Sequence, residues 1–407
     1  MSESLEGQSY FGEKSIGQQT VYPILFAICF AHLINDLLQS IIPSMYPLMQ
    51  QKYDLTFSQI GLITFTFQIT SSLLQPFIGF YTDKKPQPYS FVFGMCFTLS
   101  GIILLSFSWS YYTLLLSAGL VGIGSSIFHP ESSKLAFFAS GGKRGLAQSI
   151  FQLGGNTGSA IGPLLVALIV AVHGQIHILW FTIAAFIGLA VLMKVGIWYD
   201  KHLKWRANNN ITKKEEKHDL PESKVILSIV ILLILIFSKF FYTASMTNYF
   251  TFFLIDKFGV SVQQSQFYLF IFLGSIAAGT LIGGPIGDRF GRKYVIWFSI
   301  LGVAPFTLLL PHANFTWTIV LAVIIGFILA SAFSAIIVHA QELLPGRVGM
   351  VSGLFFGFAF GMGALGSALL GKLADRTSIG EVFFLCSFLP LIGVINIFLP
   401  TIKKLKG

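Results

Sequence analysis

The sequence predicts an all-α membrane protein, with twelve transmembrane helices in two pseudo-symmetric six-helix bundles. Three observations carry this. The 407 residues are 54% hydrophobic and only 11% charged, with 42 Phe, whereas a soluble domain carries about 25% charged residues. The apolar residues fall into runs of about the length a bilayer requires, roughly 20 each. The basic residues gather beside every second gap between those runs, which is how membrane orientation is set.

In chain order, the runs lie near 22–48, 58–82, 89–108, 112–138, 145–172 and 176–198, then 224–255, 262–287, 293–310, 315–340, 348–371 and 379–400. The longest polar gap, 199–223, divides six from six and reads as a cytoplasmic linker between bundles at 21–198 and 224–400. Residues 1–20 carry Glu3, Glu6 and Glu13 against Lys14. A secretory signal is basic and then apolar, so this segment reads as a polar cytoplasmic tail, and 401–407 as a second one.

With the N-terminus inside, the inner loops receive Lys84, Lys85, Lys143, Arg144, most of the linker, Arg289, Arg292, Lys293, Arg347, Lys403, Lys404 and Lys406. The outer loops receive Lys52, Lys257, Lys372 and Arg376. That asymmetry places both termini in the cytoplasm of a bacterial inner (plasma) membrane. It also accounts for the net charge of +9 without a nucleic-acid partner. Cys29, Cys96 and Cys386 all lie in apolar runs and are odd in number, so they read as buried thiols rather than a disulfide framework.

The two halves repeat weakly. Gly79 and Asp83 recur as Gly284 and Asp288. Arg144, Ser149, Gly154 and Gly158 recur in the same order as Arg347, Ser352, Gly357 and Gly361, at an offset two residues shorter. Two halves of like topology imply a pseudo-two-fold axis along the membrane normal, with a site between them. The strongest local signal is GPIGDRFGRK at 284–293: Gly284, Asp288, Arg289, Gly291, Arg292 and Lys293 form G-x-x-x-D-R-x-G-R-K, and GFYTDKK at 79–85 is its degraded copy. Glycines allow a tight turn and close helix approach, and the Asp is suited to a neighbouring helix N-terminus.

This loop resembles the signature of the major facilitator superfamily, which implies two six-helix bundles and alternating access. AHLINDLLQS (31–40), FHPESS (128–133), LAQSIFQLGGN (146–156), GRKYVIW (291–297), QELLPGR (341–347) and GMVSGLFFGFAFGMG (349–363) resemble a bacterial drug-resistance branch of that superfamily. The branch implies an efflux pump that exchanges its substrate for protons. Gly154, Gly158, Gly162 and Pro163 are similar to the family's antiporter signature, although its final double glycine is missing. Simple helix packing explains these small residues equally well.

Independently of any resemblance, several polar side chains are stranded in apolar runs. His32, Asn35, Asp36 and Gln39 share one helical face. Asp36 falls near the midplane, where ionised groups are costly and mark ion or proton paths. A structural hydrogen-bond knot is the competing reading. His129 and Glu131 sit close enough for a proton relay, or Glu131 pairs with Lys134 or Arg144 at an inner gate. Lys239 lies too deep to reach an interface and faces a cavity, with Tyr242 and Met246 on its side. It either contacts an anionic substrate such as a phosphonate, pairs with Asp36, or is structural. Gln148, Gln152 and Asn156 line one face and bind a polar ligand or pin helices together. Glu342, with His339, closes its helix beside Arg347 and reads as an inner-gate salt bridge.

The expected function is therefore a proton-coupled exporter of a small anionic compound, with an uptake symporter as the alternative. Proton coupling is assigned to Asp36, Glu131, His129 and His32. Substrate contact is assigned to Lys239, Tyr242, Asn35, Gln39, Gln152 and Asn156, and gating to Gly79, Asp83, the 284–293 loop, Glu342 and Arg347. A membrane enzyme or receptor is disfavoured, since no Walker loop, nucleophile elbow or zinc cluster stands out. The metal ligands look too few and scattered for a metal site. No cofactor is expected. The expected partners are a small-molecule substrate, protons and the lipid bilayer, and the chain is expected to act as a monomer.

Overall fold

The computed structural model describes residues 19–55, 57–208, 220–260 and 262–400. Most of the N-terminal tail, the linker centre at 209–219 and the whole C-terminal tail, with Lys403, Lys404 and Lys406, lie outside the described residues. Every regular element described is helical.

The chain begins with α1 (Tyr22–Ser44), which Pro43 helps to end, and α2 (Tyr46–Tyr53). α3 (Phe57–Leu73) and α4 (Gln75–Lys84) break at Leu74, just before Pro76. α5 (Ser90–Ser106) follows. α6 (Tyr111–Phe138) starts at a reciprocal cap between Ser110 and Thr113, and runs through Pro130. α7 (Arg144–Leu165) continues through a π turn into α8 (Ala171–His173). α9 (Phe181–Asn208) closes the first half.

The second half holds α10 (Glu222–Phe258), α11 (Val262–Phe290), α12 (Arg292–Ile300) and α13 (Ala304–Leu309). Then come α14 (Phe315–Ala330), α15 (Ala332–Leu343), α16 (Val348–Arg376) and α17 (Ile379–Cys386), the last followed by a 3-10 stretch, Leu389–Phe398. Nine helices among the described residues are long and apolar enough to cross a bilayer. They carry exposed large apolar side chains such as Tyr112, Ile183, Trp317 and Phe398, as a lipid-facing surface requires.

α9 runs ten residues further than the apolar run at 176–198, so the start of the expected linker is helical. Polarity there marks the membrane edge and not the helix end. Asp200 and Lys204 pair one turn apart at 2.7 Å, and the His202 ring stacks on Trp198 and Trp205.

Small residues fix the closest crossings. A side-chain carbon at Gly154 would stand 2.0 Å from the Cys29 carbonyl oxygen, and one at Gly158 2.1 Å from that of Leu33. The G-x-x-x-G row is thus the seam of α7 against α1. Between halves, Gly79 meets the Gly349 backbone, Gly284 meets Gly145, Gly353 meets Gln75 and Gly357 meets Ser72. Further along α16, a side-chain carbon at Gly361 or Gly363 would meet nothing within 4 Å among the described residues. The halves therefore close at the basic end.

Candidate functional site

Three clusters of polar residues lie in the interior. The first is held by α1 and α6. His32 Nε2 stands 3.3 Å from one Asp36 oxygen, His129 Nε2 3.4 Å from the other, and the two Nε2 atoms are 3.2 Å apart. Each ring is oriented by its far nitrogen. His32 Nδ1 lies 2.7 Å from the Phe151 carbonyl oxygen, and His129 Nδ1 3.0 Å from that of Ser125. Carbonyl oxygens only accept, so both Nδ1 atoms carry a proton. The two Nε2 atoms and a carboxylate then converge on one space, suited to a proton or another cation.

The remaining valences of this triad are filled from sequence neighbours. Asn35 donates to Asp36 at 3.0 Å and Gln39 donates at 3.4 Å, while the Ser125 hydroxyl donates to the Gln39 carbonyl. His32 stacks on Phe151 at 4.0 Å. His129 meets Phe356 and Phe360 of α16 across the interface. Both rings are buried. Asn35 and Gln39 thus serve Asp36 and do not line the cavity described next. Glu131 also stands apart from the triad.

The second cluster is a cavity of about 100 Å³ between the halves, lined by Gln152 and Asn156 of α7, Lys239 and Thr243 of α10, Thr280 of α11, and Phe333 of α15, with apolar neighbours. The Lys239 ammonium lies 5.3 Å from the Phe240 ring and 5.2 Å from the Phe333 ring, a cation–π arrangement. Among the described residues no carboxylate lies within ion-pair range of it, so Lys239 and Asp36 do not pair. Asn156 donates to Thr280 at 3.0 Å across the interface. Among the described residues the buried Gln152 Oε1 has no hydrogen-bond partner. Tyr242 turns away from the cavity into the apolar core of the second half, with Met246 and Phe250.

The third cluster closes the basic end. Asp288, at the end of α11, accepts from the backbone N–H groups of Gly145 and Leu146 at 3.0 Å each, the N-terminus of α7. Asp83, at the end of α4, accepts from Gly349 at 3.0 Å and Met350 at 2.8 Å, the N-terminus of α16. Each half thus caps a helix of the other. The matched residues Gly145 and Gly349 sit one residue out of step with the Arg144–Arg347 repeat seen in the sequence, so capping and not residue identity sets the structural register.

Around the caps, Arg292 bridges Asp288 and Glu342 at 3.1 Å each, and Arg144 reaches Glu342 at 3.2 Å. Glu342 therefore pairs with these two and not with Arg347, which occupies the N-cap position of α16. Lys134 binds Glu131 at 2.6 Å and approaches Asp83 at 3.8 Å. Thr82 and Ser90 both donate to Glu131. Of the two readings of Glu131, this geometry matches gate pairing. Gly291, at φ 101°, makes the turn between α11 and α12. Lys293 donates to the Ile397 and Leu399 carbonyls, and Arg289 stands over Phe290. A hydrogen-bonded chain, Gln148–Ser133–Ser352–Gln341, adds a second layer between the halves.

Sequence reasoning missed Phe333, Phe356 and Thr280, which look like ordinary packing residues in an apolar run, and the approach of Lys134 to Asp83. Neutralising both caps, Asp83→Asn with Asp288→Asn, is expected to loosen the basic end. A carboxylate at a helix N-terminus contributes about 0.3–1 kcal/mol. Two such losses shift the closed–open balance by roughly three- to thirtyfold. The rate of maleimide labelling at Ser352→Cys, buried in this layer, should rise accordingly, and an unchanged rate would count against the caps.

The sequence profile described as Major Facilitator Superfamily matches residues 28–366 and 231–406. The chain is 58% identical over 400 residues to the fosmidomycin resistance protein of Escherichia coli (strain K12), covering 98% of each chain. It is 42% identical over 388 residues to an uncharacterized MFS-type transporter of Bacillus subtilis (strain 168), covering 95% of each. Among solved structures it resembles the transporter FucP in the outward conformation, at a TM-score of 0.73 and 13% identity, over 94% of this chain and 100% of that one. It also resembles the human organic anion transporter MFSD10, at 0.74 and 15%, with the same coverage. At such identities these structures bear on the fold alone.

Proposed function

Because this chain belongs to the major facilitator superfamily, we propose that it is a proton-driven antiporter exporting small anionic compounds, fosmidomycin among them, by alternating access. The observation that carries this reading is Lys239, a buried ammonium without a counter-ion among the described residues, in a cavity bounded by both halves. A buried cation without a partner is costly, and an anionic substrate offsets that cost. The 58% identical relative supplies the substrate expectation.

The nine candidate spans, with the helical stretches 57–84, 90–106 and 144–173, make twelve in this reading. They form bundles at 21–198 and 224–400, with 199–223 as the cytoplasmic linker. The basic end faces the cytoplasm of a bacterial inner membrane, and the aspartate caps and ion pairs close that side, so the conformation is outward-facing. The chain works as a monomer. Protons load on His32, Asp36 and His129. Glu131 serves through its gate network with Lys134. Gln152 and Asn156 contact the substrate beside Lys239.

The test uses proteoliposomes carrying an imposed pH gradient and fosmidomycin. Uphill movement of the drug against proton flow, abolished by an uncoupler, is expected. Equal retention with and without the protein would overturn the export reading, and drug movement in the same direction as protons would reverse it to symport.

A further inference from the structure

The space between His32, Asp36 and His129 has the shape of a metal site. The metal ligands that looked scattered in the sequence converge, with one donor atom from each side chain within 4.8 Å of the others. A tetrahedral zinc ion with ligands at about 2.0–2.1 Å holds neighbouring ligand atoms roughly 3.3–3.4 Å apart. The two Nε2 atoms stand 3.2 Å apart, and each lies 3.3–3.4 Å from one of the two Asp36 oxygens, so the three side chains enclose a space of the size such an ion needs.

Two further observations point the same way. Metal-ligating histidines nearly always donate the other ring N–H to a carbonyl or carboxylate, which aims the free nitrogen at the metal. Both rings do so here, to Phe151 and Ser125. The carboxylate is steadied by the Asn35 and Gln39 amides, again as a metal-binding carboxylate requires. Gly155 of α7 stands against the triad. A side-chain carbon there would come within 2.5 Å of the His32 ring and 2.7 Å of an Asp36 oxygen, so a side chain would take space next to the ligands. Two imidazoles and one carboxylate suit a first-row transition ion such as zinc and disfavour calcium or magnesium, which prefer all-oxygen shells.

We propose that His32, Asp36 and His129 form a binding site for a divalent transition metal, zinc foremost, with water or a substrate donor completing the coordination. The same triad is the proton-loading site proposed above, but the metal site stands on ligand geometry alone. Since all three ligands come from α1 and α6 of the first half, the ion would leave the gate free to move while excluding the driving proton.

The experiment titrates zinc into the untagged full-length chain, stripped with a chelator and held in lipid nanodiscs, against a chromophoric competitor. One zinc per chain is expected, reduced at least tenfold in affinity in His32→Ala and in His129→Ala. A His173→Ala/His177→Ala chain, altered in the two histidines at the opposite end, should bind as the unaltered one does. Cobalt(II) added to the unsubstituted chain should give the visible absorption of a tetrahedral N/O site, which does not depend on any variant folding. No stoichiometric binding, or binding indifferent to both triad histidines, overturns the proposal. Metal-free transport assays judge the export reading separately, so either claim can fail while the other stands.

Discussion

Asp36→Asn is expected to abolish proton-driven export while leaving the chain folded and inserted. The substitution keeps the size and planar shape of the side chain, and an amide can still hydrogen-bond within the His32 and His129 pair. It removes the only carboxylate of the triad, and with it the charge that a loaded proton neutralises. Uphill efflux under a pH gradient should fall to the protein-free level, at least a hundredfold below the unaltered chain. Exchange of substrate for substrate, which needs no net proton movement, should persist. Wild-type efflux in this variant would remove Asp36 from the coupling step, and loss of both activities would mark it as structural.

Lys239→Gln carries the second large effect. The ammonium is clamped between Phe240 and Phe333 and has no acidic partner among the described residues, so its neutralisation leaves no orphaned carboxylate and should not destabilise the fold. A hydrogen bond to a charged group contributes about 1.5–3 kcal/mol, so the affinity for an anionic substrate should drop roughly ten- to a hundredfold. The half-saturating drug concentration in the liposome assay reads this directly. Zinc binding at the triad, on different helices, should be unchanged. An unaltered half-saturation would place the substrate elsewhere.

Much of the architecture was legible because the bilayer imposes a length on each apolar run and a sign on each loop. α10, α11 and α16 fall close to the expected runs for that reason. The end of α9 was not legible, because helix and membrane stop at different residues once Asp200 and Lys204 can pair across a turn. At the site, the shared face of His32, Asn35, Asp36 and Gln39 followed from spacing within one helix. That His129 would join them, and Glu131 two residues later would not, depends on the rotation of α6 against α1, which spacing does not encode. Tyr242 shows the same limit. It lies one turn from Lys239, yet it packs in the second half's core while the lysine reaches the cavity. The cap partners Gly145 and Gly349 offered no side chain to read.

The crossed aspartate caps carry a consequence for how the transporter switches. Asp83 belongs to the first half and secures a helix of the second, while Asp288 does the reverse. Neither half can relax its own end without the other letting go, so separation on that side is a single concerted event rather than two independent ones. A chain split in the linker should therefore regain activity only when both pieces are made together, since each piece alone lacks the carboxylate acceptor that quiets its own exposed helix tip.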